Sequence, residues 1–133
     1  MTDSPYTFAE ATELVNKARV AQAQAEDFTR EASVSLAEKE RAYRMALAKR
    51  ILELHQEGIA WTVAQDVARG DRHVAQLRME RDIAEGVKDA AEQAGWRHAA
   101  DRRALQALLE WSAKRDLAED PGQPAWGTRR AAA

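Results

Sequence analysis

Among the 133 residues, the side chains whose type and spacing point to chemistry are basic. Residues 39–50 hold Lys39, Arg41, Arg44, Lys49 and Arg50 against the single acid Glu40, net +4. Residues 69–81 add Arg69, Arg72, Arg78 and Arg81 against Asp71 and Glu80, net +2. Residues 97–115 reach net +3, whereas residues 1–38 carry three bases against seven acids, net −4. Clustered Lys and Arg are the electrostatic footprint of phosphate binding, even in a chain of formal net charge −2. The same spacing also suits intrahelical Arg–Glu pairs or the polar rim of a coiled coil.

Other chemistry finds little support. His55, His73 and His98 stand far apart, and no H-E-x-x-H occurs. The six glycines form neither a dinucleotide fingerprint nor a phosphate-binding loop. Ser33, Ser35 and Ser112 have no His nearby in sequence to activate them. With no cysteine there are no disulfides, thiolate zinc ligands or Cys nucleophiles. The expectation is a protein that is not an enzyme and uses no metal or cofactor.

Tryptophan offers the remaining candidate contacts. Trp126 lies in Pro124-Ala125-Trp126-Gly127, followed by Arg129-Arg130; it could dock in a partner's pocket, stack on a base, or be inert terminal sequence. Trp61 either covers a helix junction or stacks on a base. Trp96 and Trp111 fall beside helical stripes and read as interface or core.

The elements that must position these groups follow from composition. Of the 60 residues behind the 45% hydrophobic fraction, 29 are Ala, and Val, Ile, Leu and Phe together supply only 22. With 32% charged residues, this describes long helices with narrow apolar stripes rather than a bulky core. Leu14, Ala18, Ala21, Ala25, Phe28 and Ala32 recur at four-three spacing, continued by Leu36, Tyr43, Leu47, Ile51 and Leu54. No Gly or Pro interrupts residues 7–56, so one helix is expected over about 7–55.

Gly58 is the expected stop, and Thr62-Val63-Ala64-Gln65 matches a capping box that would open a second helix over about 62–117. The turn falls at about 56–61. A second stripe runs through Val63, Val67, Val74, Leu77, Ala84, Val87, Ala91, Ala94, Leu105, Leu108 and Ser112, with a possible interruption at Gly70-Asp71. Gly86 and Gly95 either permit close helix approach or mark bends. Residues 119–133, with Pro121 and Pro124, read as a flexible tail after a domain over 1–118.

The fold expected is therefore all-α: a long antiparallel, coiled-coil-like helical hairpin. In it the 39–50 and 69–81 segments would face each other beside the turn and make that end basic. Each helix buries one stripe only, so a homo-oligomer is expected. No run approaches the roughly 18 apolar residues that span a bilayer. With an acidic start and no apolar leader, the expected compartment is the cytoplasm, the host's if the chain is phage-encoded.

From Tyr43 to Trp111, about half the chain, the arrangement resembles the UvsY-type recombination mediators of bacteriophages. Ala46-Leu47-Ala48-Lys49-Arg50-Ile51 is similar to the family's basic A-L-K-A-R-L stretch, followed after a similar interval by Gly58. Val74-Ala75-Gln76-Leu77 and the Ala-rich helix ending in Leu108-Leu109-Glu110-Trp111 share its pattern. Ala48-Lys49 stands where the family has Lys-Ala, which moves the first base by about 100° around a helix. The resemblance implies a non-enzymatic, homo-oligomeric factor that binds single-stranded DNA, works with a single-strand-binding protein and loads a recombinase. It implies DNA contacts at Arg50 and then Lys49; Arg41, Arg44, Arg69 and Arg72 join them from the charge map. The alternative is a helical structural or assembly protein (a phage scaffold, chaperone or adaptor) acting through protein–protein contacts.

Overall fold

The computed structural model describes residues 6–119. They form α1 (Phe8–Gln56), α2 (Trp61–Arg69) and α3 (Arg72–Glu119), and α1 and α3 pack together as a helical hairpin. The expected tail and Trp126 lie outside the described residues.

α1 begins at a capping box that the sequence spells Thr7-Phe8-Ala9-Glu10. The Glu10 N–H donates to Thr7 Oγ1 (3.2 Å), and the Thr7 N–H donates to Glu10 Oε2 (2.7 Å). Within α1, the hydroxyls of Thr12, Thr29 and Ser33 donate to carbonyls four residues back, so these polar residues do not break the helix.

The helix ends at Gly58, as the sequence suggests. Gly58 has φ +93°; its N–H donates to the His55 carbonyl, and the Ile59 N–H donates to that of Leu54. This is a Schellman stop, and Ile59 packs against the cluster of Leu54, Ala64 and Ala68.

The second helical segment differs from expectation. It is two helices, α2 and α3, broken at Gly70-Asp71. α2 starts at Trp61, one residue before the expected Thr62 cap, and its first turn has no side-chain cap. Trp61 is held by its ring instead, stacked on His55 with centroids 3.7 Å apart and planes 14° from parallel. Starting there, α2 turns Ala64 and Ala68 inward, both fully buried, and leaves Val63 and Val67 exposed. The two small residues bring the α2 backbone close to Leu54, with Leu47, Ile51 and Ile59 packed around it.

α3 is capped by Asp71, whose Oδ1 accepts from the His73 and Val74 N–H groups (3.0 and 3.3 Å), and it runs unbroken through Gly86 and Gly95. Gly95 sits where a Cβ would lie 4.0 Å from that of Ala25, whereas a Cβ at Gly86 would meet nothing within 4 Å.

The hairpin resolves into two compact units. Residues 25–95 hold α2, the turn and the adjoining parts of α1 and α3; their buried apolar residues are Ala32, Tyr43, Leu54, Ala64, Ala68, Val74, Ala84 and Ala91. Phe28, expected in the seam, is 52% exposed. Thr29, four residues after Ala25 and three before Ala32, occupies that row part-buried. Val87 is likewise exposed, between the buried Ala84 and Ala91. In the other unit, the beginning of α1 buries Ala11 and Val15, and α3 buries Ser112. There the Arg115 guanidinium lies 5.1 Å from the Trp111 ring centroid. Trp96 and Trp111 are exposed, so neither is a core residue.

Candidate nucleic-acid interface

The two basic segments do face each other, through opposite charges. Lys39 Nζ lies 3.6 Å from Glu80, and Glu40 lies 3.7 Å from Arg81 Nε, so two adjacent ion pairs join α1 to α3 with their signs reversed. Arg81 is held further: it donates twice to Asp82 (2.7 and 3.1 Å), and its guanidinium stands 4.7 Å from the Tyr43 ring centroid. Its affinity for the proton rises above the ordinary arginine value, chiefly through the Asp82 hydrogen bond.

The six basic candidates divide under this geometry. Arg44 Nε donates to Glu40 (2.8 Å), and Arg69 Nη1 lies 3.5 Å from Asp66. Arg50 is half-buried, with Nη1 donating to Glu53 (3.2 Å) and Nε 3.4 Å from Asp71 Oδ2. These three are ion-paired within the chain, although the buried Arg50 Nε makes no hydrogen bond. Arg41, Lys49 and Arg72 are exposed and make no ion pair among the described residues.

Arg78 is a fourth such cation, present in the charge map but not among the six candidates. Local spacing alone does not separate the two groups: Arg41 stands three residues from Glu38, and Lys49 and Arg78 stand four from Glu53 and Asp82, but Glu53 pairs with Arg50 and Asp82 with Arg81. Arg44 and Arg69 do pair with the local acids Glu40 and Asp66. The Arg50–Asp71 pair depends on the turn bringing the start of α3 back to α1, which no local spacing reveals.

Lys49, Arg50 and Glu53 on α1 line an open groove of about 270 Å³ together with Asp71, His73 and Val74. Arg72 lies between two of these lining residues in the chain. The groove has a cation at its margin and a carboxylate–guanidinium pair along its wall. Such a margin can hold a phosphate by charge, without reading a base. Trp61 presents 48% of its surface to solvent, with one ring face covered by His55.

Comparison with protein-family models, characterised proteins and solved structures gave no match. What the fold and the groove define is a class: a helical hairpin whose turn end carries unpaired cations beside crossed ion pairs. No described helix is long and apolar enough to cross a membrane.

Proposed function

We propose that this protein is a homo-oligomeric, single-stranded-DNA-binding recombination mediator that helps load a recombinase onto DNA. The observation that carries this reading is the set of exposed cations without acidic partners near the turn, above all Lys49 at the groove and Arg72 at the start of α3. Phosphates along a flexible single strand neutralise such charges with little base readout, and Trp61 offers a surface for stacking. The single-strand-binding protein and the recombinase enter as partners through the resemblance to UvsY-type mediators. The scaffold role falls to Arg50, so the phosphate contacts belong first to Lys49 and Arg72. Fluorescence anisotropy of a labelled oligonucleotide tests the reading. Binding at low ionic strength that weakens steeply with added salt is expected, and absence of binding at low salt overturns it.

A second reading, a helical structural or assembly protein, draws on a different observation. Sixteen large apolar side chains are exposed among the described residues, more than the thin core buries. Both readings share self-association, because each long helix covers one stripe only. A chain that binds no oligonucleotide yet retains a protein partner would favour the second.

A further inference from the structure

Besides the seam that joins them, α1 and α3 each carry a second heptad row, turned to solvent. On α1 it runs Val34, Glu38, Arg41, Met45, Ala48 and Leu52, at four-three spacing, and every one is exposed. On α3 it runs Gln76, Met79, Ile83, Gly86 and Ala90, again all exposed, with Met45 61% and Ile83 59% accessible. Helical geometry sets Ile83 half a turn from the buried Val74, and Leu52 about as far around from the buried Leu54. Both rows therefore face away from the intramolecular seam. Sustained four-three spacing of this kind is the pattern by which one helix packs along another.

Two further observations indicate what covers them. The first is charge: residues 34–52, which the α1 row spans, are net +3, and residues 76–90, which the α3 row spans, hold four acids against Arg78, Arg81 and Lys88, net −1. The second is Gly86. Inside a helix, glycine is less favourable than alanine, and a Cβ at Gly86 would meet nothing within 4 Å, so the chain's own packing gives no reason for it. A helix of another molecule lying close along the row does. Beside the same row, Ile83 and Val87 edge a groove of about 380 Å³ shared with Ala32 and Ala84, open to side chains from outside.

We infer that the outer α1 row of one copy packs on the outer α3 row of a second copy, a heterologous contact between unlike faces. It deepens the self-association in the proposed function and rests on it. Because the two faces differ, each copy offers one of each, and the contact can repeat from molecule to molecule. Lys49 lies outside both rows, and Arg72, four residues before Gln76, stands at the N-terminal end of the α3 row, beyond its apolar part.

The test is sedimentation velocity of the full-length chain and of two variants, Met45→Glu and Ile83→Glu, with circular dichroism to follow helicity. The wild type is expected to associate, and each variant alone to sediment as a monomer of unchanged helicity. The two mixed in equal amounts are expected to form a one-to-one dimer, since only one intact pair of faces remains. Gly86→Leu is expected to weaken association of the wild-type chain at least tenfold. If wild type is monomeric at tens of micromolar, self-association itself fails. If wild type associates and either variant alone still does so, or the mixture stays monomeric, self-association stands and this pairing of faces is overturned.

Discussion

The carboxylate of Asp71 serves two elements at once: Oδ1 caps α3 at the His73 and Val74 N–H groups, while Oδ2 lies 3.4 Å from Arg50 Nε on α1. One acid thus starts a helix and ties that start to its neighbour across the turn. The arrangement removes Arg50 from the pool of free cations. Asp71→Ala is expected to cost about 1 kcal/mol, the usual size of a lost N-cap. Arg50→Ala is expected to cost less, because half-exposed ion pairs contribute roughly 0–1 kcal/mol. Urea denaturation at one fixed protein concentration measures both; a larger loss for Arg50→Ala would contradict this ranking.

Gly58 makes the sharp turn after α1 at φ +93°, and nothing stands within 4 Å of where a Cβ would be. The cost of a side chain there is therefore one of backbone conformation alone, about 1–2 kcal/mol for an L-residue in the left-handed region. Gly58→Ala is expected to lower stability by that amount, and Gly58→Asn by less. Equal stability of Gly58→Ala and wild type in the same denaturation assay would argue against the Schellman stop.

Ala64 and Ala68 are fully buried beneath α2. Enlarging either one forces α2 away from Leu54, Leu47 and Ile51, at a typical cost of about 1–3 kcal/mol for overpacking. Ala68→Leu is expected to be markedly destabilising, whereas Val67→Leu, on the exposed side, is expected to change little. If Val67→Leu proves the more damaging of the two by thermal denaturation, the inward face of α2 has been misassigned.

At the other end of α1, Glu10 closes the capping box with Thr7, and the hydrogen bond from the Thr7 N–H holds its carboxyl below the ordinary glutamate value of 4.5. A depressed folded value means the stabilisation is present above the unfolded value and lost as pH falls through the folded one. Fraying of the first turn of α1 is thus expected on acidification below about pH 4.5, and Glu10→Gln is expected to remove that response. Amide chemical shifts of Glu10 and Ala11, followed by NMR across the acid range, read it directly. A wild-type profile indistinguishable from that of Glu10→Gln would contradict it.

Much of the fold is legible in the sequence, and the failures share a cause. The absence of Gly and Pro before Gly58, together with the four-three rows, identifies the long first helix, its stop and the hairpin. Side-chain size alone points Phe28, Val63 and Val67 inward, yet all three are exposed. In helices this close, Thr29, Ala64 and Ala68 fit the narrow space better than larger neighbours. Capping boxes also occur by spacing alone. Thr62-Val63-Ala64-Gln65 matches the pattern without forming one, because the His55–Trp61 stack already sets where α2 begins, whereas Thr7-Phe8-Ala9-Glu10 forms the reciprocal pair. In the candidate interface, counting charges located the basic zone. The division into paired and unpaired cations is not legible from spacing: Glu53 pairs with Arg50 and not with Lys49, and Asp71 reaches Arg50 only once the chain has turned back.

That division is the centre of the functional proposal, and anisotropy of a labelled single strand across a salt series tests it most directly. The wild type, Arg50→Ala, and the double variant Lys49→Ala/Arg72→Ala are compared, with helicity checked for each. Loss of two phosphate contacts is expected to reduce the slope of log affinity against log salt by about 1.4 for a single strand, and to weaken binding at low salt. Arg50→Ala is expected to keep the wild-type slope. An unchanged slope in the double variant, with loss of binding in Arg50→Ala instead, would contradict the assignment of the phosphate contacts to Lys49 and Arg72.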